Sequence, residues 1–250
     1  MTNQVQEKIV ITRAKGQAEE FAHVITAKID GVEQGDIVYE PLLEIVENRD
    51  IKMPYLGNYS CVLVSSVHGC NILPKNEEEY SPQFYCVGVA TANVLIAKGY
   101  RPGIVVQNAR DLLDAVSARH SGSHEKMLYL RGRDISVDMK TSLRMVGHSL
   151  DEVEVYRVEL AERFDMTFLL ALKEKKIGLV TFFSRRTAKH FAKMVDDLGI
   201  AHAITGINAL CMSDAVVECL HSAFNENILV ADTPDMMGMV NALKQYVDNQ

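Results

Sequence analysis

Residues 8–25 read KIVITRAKGQAEEFAHVI: an apolar, β-branched run from Lys8 to Thr12, then Arg13, then Ala18, Phe21, Ala22 and Ile25 at i, i+3, i+4 and i+7. The first part fits a strand covered on both faces, and the second fits a helix with one core-facing stripe. Together they make a strand-turn-helix unit, and the same grammar recurs along the chain. Ala188, Phe191, Ala192 and Val195 repeat the helical spacing. Further strand candidates are Gly35 to Tyr39, Ser60 to Ser65, Gln83 to Val87, Ile104 to Val106, Met127 to Leu130 and Glu152 to Tyr156. Ile177 to Phe182, Ala201 to Thr205, Ala209 to Cys211 and Ile228 to Val230 complete the set. Such runs alternating with helices predict an α/β protein with parallel sheets. Helix starts are marked by Asn108, by Ser213 and by Thr233-Pro234, a cap followed by proline.

The opening unit has a second copy. Ile11-Thr12-Arg13 returns as Tyr129-Leu130-Arg131, an offset of 118 residues, and Val38-Tyr39 returns as Val155-Tyr156, an offset of 117. Val64-Ser65-Ser66 returns as Phe182-Phe183-Ser184, again at 118. Three pairs in one order indicate a duplicated α/β unit. The length of 250 residues suits two domains of about 100 residues each. Pro74 to Pro82 and Arg119 to His124 read as polar loops.

The net charge of −7, with no run of basic residues, argues against a nucleic-acid or anionic-membrane surface. The polar start, Met1 to Lys8, and the absence of an apolar run of about 20 residues predict no signal peptide and no membrane anchor. The expected location is cytoplasmic. Five cysteines, an odd count without a C-x-x-C pair, read as reduced, buried thiols. Dinucleotide, P-loop, zincin and nucleophile-elbow signatures are absent. His120 and His124 share a loop with no ligand-spaced partner and read as solvated, so no metal is assigned.

Hydroxyl residues remain at the strand-to-helix turns: Ser65, Ser66, Thr91, Ser184 and Ser213. In a parallel sheet these turns lie at the carboxyl ends of the strands, where ligands bind and helix-start amides favour anions. Singly, each is an ordinary cap; as a set spread over two repeats they suggest an extended anion-binding cleft. Arg13 and Arg131 follow the first strand of each repeat, where a guanidinium can fork onto a carboxylate or make a structural ion pair. Tyr39 and Tyr156 close the second strands.

These stretches resemble the uroporphyrinogen-III synthase family over nearly the whole chain. The resemblance is carried by Ile11-Thr12-Arg13, Tyr39-Glu40-Pro41-Leu42-Leu43-Glu44-Ile45, Val64-Ser65-Ser66 and Val87-Gly88-Val89-Ala90-Thr91-Ala92. Leu130-Arg131-Gly132, Val155-Tyr156 and Phe182-Phe183-Ser184 extend it. The chain departs from the family at Ala14, where proline is common, and at Val67-His68, where an asparagine is common. Cys211-Met212-Ser213-Asp214 stands where the family has a second Gly-x-x-Thr.

The resemblance implies two flavodoxin-like domains with parallel sheets, joined by a two-stranded antiparallel linker. Residues 1–38 plus 162–250 would form the first domain, 47–153 the second, and 39–46 and 154–161 the linker strands. It implies a lyase of haem and porphyrin biosynthesis that cyclises hydroxymethylbilane with inversion of ring D and loss of water, without a cofactor. Tyr156 would donate the proton, and Arg13, Ser65, Ser66, Thr91, Arg131, Ser184 and Ser213 would hold the substrate. The preceding pathway enzyme is then a candidate for a transient hand-over. A non-enzymatic, two-lobed α/β binding protein for an anionic small molecule is the alternative.

Overall fold

A computed structural model describes residues 7–77, 81–224 and 227–249. The start of the polar N-terminal segment and the middle of the 74–82 loop lie outside the described residues. In chain order the elements are β1 (Lys8–Ile11), α1 (Lys15–Lys28), β2 (Ile37–Tyr39), β3 (Leu43–Glu47), β4 (Cys61–Val64), α2 (Val67–Asn71), β5 (Gln83–Val87) and α3 (Val89–Ala97). They continue as β6 (Pro102–Val106), α4 (Ala109–Arg119), β7 (Lys126–Gly132), α5 (Met139–Met145), β8 (Ser149–Leu160), α6 (Met166–Lys173), β9 (Ile177–Phe182) and α7 (Arg185–Leu198). The last are α8 (Ala201–Ile204), β10 (Asn208–Cys211), α9 (Asp214–Val217), β11 (Ile228–Val230) and α10 (Met236–Asp248).

These elements form two compact units, Met1–Glu44 with Glu159–Gln250, and Ile45–Val158. The chain therefore leaves the first unit after β2, builds the second, and returns along β8. The first unit's sheet has the order β11-β10-β9-β1-β2, parallel throughout. Counted within the unit this is 2-1-3-4-5, the flavodoxin-like order, whose switch point falls between β1 and β9. The second sheet runs β3-β8-β7-β4-β5-β6, and its strands from β8 to β6 are parallel. Matching β7 to β1, β8 to β2 and β4 to β9 makes it the same sheet entered at a different strand. That is why the repeated motifs keep one offset although β4 precedes β7, and it places the second switch point between β7 and β4.

Both faces of each sheet are covered. Along β1, Val10 packs into the core on one face with Phe182, Phe191 and Phe224. Ile9 and Ile11 pack on the other with Phe21, Ile25 and Leu243. In the second unit, Val62 and Val64 face Phe84 and Leu128, whereas Cys61 and Leu63 face Tyr85 and Leu112. Each large buried side chain contributes about 1.5–3 kcal/mol, enough to override weak local propensity. The β3–β8 pair is antiparallel: Ala161 N donates to Leu42 O and Asn48 N to Val155 O, so one strand's numbers rise as the other's fall.

Two local expectations are corrected. Residues 201–204 are a short helix, not a strand, because Gly199 ends α7 in the left-handed conformation and the chain turns at once into a new turn of helix that buries Ile204. The cap of α10 is Asp235, whose side chain accepts from Gly238 N, and not Thr233. Asn108 does cap α4, accepting from Asp111 N.

Candidate active site

In the second unit the carboxyl-end turns at the switch point bring Ser66, Gly132 and Tyr156 together. Tyr156 lies on β8, Gly132 at the end of β7 and Ser66 at the end of the β4 turn, so the phenol must cross β7 to reach the serine. Two features permit this. A bulge in β8 sets Arg131 opposite Glu154 but Gly132 opposite Tyr156, re-aiming the tyrosine. Gly132 also has no Cβ: one added there would lie 2.7 Å from two Tyr156 ring carbons. The ring therefore lies over bare backbone, and Ser66 Oγ donates to Tyr156 Oη at 3.0 Å. Ser66 makes no capping bond with its side chain, so its hydroxyl serves the tyrosine instead of α2.

The neighbouring predicted residues have varied surroundings. Ser65 bonds the Tyr129 phenol, whose pKa burial raises above its ordinary value. Arg131 Nε donates to Glu152 Oε1 at 2.9 Å, and its Nη1 donates to the Gly132 and Arg133 carbonyls. Its fork is thus engaged by the protein. Thr91 is 2% exposed at the third position of α3, behind a turn at Gly88 with φ of +83°.

In the first unit the switch point gathers Arg13 and Ser184. The Arg13 guanidinium lies 4.4 Å from the centroid of the Phe183 ring, and burial pulls its pKa below the ordinary value against the opposing charge of Glu20. Ser184 Oγ accepts from Thr187 N at 3.2 Å and caps α7. Ser213 opens α9 without a side-chain capping bond. Tyr39, the repeat partner of Tyr156, accepts from Gln34 Nε2 at 2.6 Å. Its strand neighbour is not matched by a glycine, because Ala14 stands where the second copy has Gly132. A hollow of about 790 Å³ lined by Lys15, Pro41, Glu44, Glu159 and Arg163 lies in the same unit.

Glu40 follows Tyr39 and is 1% exposed. Both its oxygens accept from Asp165 N, at 3.0 and 3.3 Å, which ties the end of β2 to the start of α6. Burial pushes the carboxyl up to about 7, opposed by the Asp165 N–H bond and assisted by the Asp165 charge. The folded chain therefore keeps a proton that the unfolded chain releases near the usual value. Stability from this group is full below that value and is lost as pH rises through about 7. Glu40→Gln keeps an acceptor for Asp165 N and is expected to flatten the fall in unfolding free energy between pH 5 and 8 by about 1–3 kcal/mol. Denaturant titrations of both proteins at the two pH values check this; equal slopes would contradict it.

The histidines separate by their bonding. His120 is not a solvated loop residue, as its position suggests, but joins Tyr85 Oη at 3.1 Å and Glu125 at 2.9 Å. Hydrogen bonds from Ser60, His120 and Ser123, in that order of weight, hold the Glu125 carboxyl down at about 2 against its partial burial. His124, His148, His190 and His221 each have a ring nitrogen engaged. Among the described residues no group of three metal-ligating side chains forms, and no helix is long and apolar enough to cross a membrane. All five cysteines are free and buried; Cys61, Cys70 and Cys211 are pushed up to about 12 by burial, which leaves them as inert thiols.

Beside Tyr156 the structure sets two residues that motif reasoning passes over, Gly132 as the floor under the ring and His68. The His68 ring centroid is 5.5 Å from that of Tyr156. For Gly132 the available signal is the repeat itself, which sets a glycine against Ala14; the chain offers no such signal for His68.

A family model described as uroporphyrinogen-III synthase HemD matches residues 23–241. A protein of Methanocaldococcus jannaschii that carries the uroporphyrinogen-III synthase name provisionally is 31% identical over 201 residues, covering 76% of this chain and 79% of that one. The crystal structure of uroporphyrinogen-III synthetase from Helicobacter pylori aligns over 98% of this chain and all of the other, with a TM-score of 0.58 at 14% identity. A mutant uroporphyrinogen III synthase from Thermus thermophilus aligns over 98% and 100%, with a TM-score of 0.53 at 12% identity. The structural likenesses carry the fold, two α/β domains with parallel sheets. Joined to the sequence matches, they place this chain in the uroporphyrinogen-III synthase family.

Proposed function

We propose that the chain closes hydroxymethylbilane, a linear tetrapyrrole rich in carboxylates, into uroporphyrinogen III, inverting ring D and releasing water. The observation that carries the mechanism is the Tyr156 phenol, laid over Gly132 and bonded to Ser66 at the second unit's switch point. Tyr156 gives its proton to the departing hydroxyl, so the C–O bond breaks and water leaves. The substituted carbon of ring D attacks the resulting azafulvene to give a spiro intermediate, whose rearrangement inverts the ring. Pyrrole nitrogen supplies the electrons throughout, so the scheme calls on no cofactor. Unguided closure gives the uninverted isomer, and the protein's contribution is mainly orientation.

An acidic chain holds such a polyanion by local donors, not by net charge. In the first unit Arg13 and Ser213 are best disposed for this, and in the second Ser66, whose hydroxyl rotates from Tyr156 to a carboxylate. Ser65, Arg131 and Ser184 bond within the protein and set the shape of the turns, and Thr91 fixes the first turn of α3. Ser66→Ala is expected to weaken substrate binding by about 1–3 kcal/mol, whereas Thr91→Ala lowers stability first. Titration with substrate under single-turnover conditions separates the two; unchanged affinity in Ser66→Ala would return that serine to a structural role.

The five buried thiols suit a reducing compartment, and the reading includes a cytoplasmic location. Because the free substrate closes wrongly by itself, it also includes a transient hand-over from the enzyme that makes it. A binding protein would consume at most one substrate per chain. Sustained consumption of a large excess, above the uncatalysed rate, is the expected result and separates the enzyme from the binder; stoichiometric uptake alone would overturn it.

A further inference from the structure

The closure that Tyr156 starts cannot finish with an acid alone. After the spiro intermediate rearranges, the new bond lies at the ring D carbon that carried a hydrogen, and the ring regains aromaticity only by losing it, so the site needs a proton acceptor as well as a donor. His68 is the neighbouring group with that capacity. Of the eight histidines, five have a ring nitrogen bonded within the protein, and His23 and His202 lie exposed on helices. Among the described residues, His68 alone is half-buried with neither ring nitrogen hydrogen-bonded. It stands two residues after Ser66, and its ring is tilted by 59° to the Tyr156 ring, with centroids 5.5 Å apart.

We infer that His68 is a second catalytic residue of the proposed cyclisation, the base that takes the proton released when the last ring regains aromaticity. This rests on the reading of the chain as a uroporphyrinogen-III synthase with Tyr156 as acid. The protons balance. Tyr156 O–H gives one to the departing hydroxyl and becomes phenolate. The final C–H bond breaks, its electrons restore the pyrrole, and its proton passes to the His68 imidazole. The imidazolium then returns a proton to the adjacent phenolate, and the only net by-product is water. The surroundings keep the imidazole in its accepting form, because burial lowers its pKa below the ordinary 6.5 against the opposing charge of Glu47. Glu47 itself accepts from Asn71 Nδ2. The other titratable groups around α2 are Tyr156 on β8, the Cys70 thiol on α2, which is pushed up to about 12, the Cys86 thiol on β5, and Lys98, whose ammonium donates to the Asn71 and Leu73 carbonyls at the far end of the helix.

The test compares wild type and His68→Gln by product isomer, turnover and pH profile. The inference expects turnover to fall about 10- to 100-fold with KM within about twofold, and the acid limb of the wild-type kcat profile, centred below 6.5, to vanish. Circular dichroism and melting confirm that the variant is folded; if it is not, His68→Gly with added imidazole replaces it, and rescue of turnover by imidazole is expected. Wild-type turnover and an unchanged acid limb in a folded variant, or no rescue, would overturn the role of His68. A wild-type protein that forms no isomer III would instead overturn the functional reading beneath it.

Discussion

Tyr156→Phe is expected to lower turnover by about 10²-fold or more while substrate affinity changes by less than about tenfold. Phenylalanine keeps the ring over Gly132, and with it the packing that Tyr156 makes against the Val64 and Leu130 core. Only the hydroxyl is lost, and with it the bond from Ser66. A single neutral hydrogen bond is worth about 0.5–1.5 kcal/mol, which bounds the effect on binding and folding. In the proposed mechanism the chemical step also loses its proton donor, a far larger effect. Rapid-quench single turnovers, read beside equilibrium binding of the substrate, separate the two quantities. Full turnover with the normal isomer would remove Tyr156 from the chemistry.

Gly132→Ala should be nearly as damaging to activity, although it touches no reacting group. Its Cβ would sit 2.7 Å from Tyr156 Cε2 and Cζ and 2.9 Å from Oη, inside any real carbon contact, and so the ring must swing off its floor. Forcing a methyl into such a gap costs about 1–3 kcal/mol in stability. The displaced phenol no longer meets Ser66, so turnover is expected to fall about 10²-fold. The decisive comparison is the double variant Gly132→Ala/Tyr156→Phe. If the glycine acts only by seating the phenol, the double variant is no slower than Tyr156→Phe, a clear failure of additivity. Additive losses would mean that Gly132 serves the reaction by another route.

The layered α/β plan was legible because its signals are local and long: continuous apolar strands such as Ile177–Phe182 and the four-point helical stripe of α1 leave few alternatives. The duplication was legible because Arg13 and Arg131, and Ser66 and Ser184, keep one offset. Residues 201–205 misled because Ile204 and Thr205 favour strands while the left-handed turn at Gly199 and the burial of Ile204 decided for a helix. The site was harder. Tyr156 and Ser66 carry their own signals, but their meeting depends on a one-residue bulge and on what Gly132 lacks, neither of which composition or spacing displays. Arg131 illustrates the reverse case. Its position at a strand end fits a ligand group, yet Glu152 on the neighbouring strand takes its Nε–H and two backbone carbonyls take Nη1. His68 is no more than a departure from the family's asparagine until the fold puts its ring beside Tyr156.

The account stands on the claim that this chain directs ring closure of a linear tetrapyrrole toward the inverted product. Incubating the full chain with hydroxymethylbilane, oxidising the products and resolving the uroporphyrin isomers by chromatography tests it directly. Isomer III well above the level of a protein-free control is the expected result; isomer I alone, in the control's proportion, would contradict it.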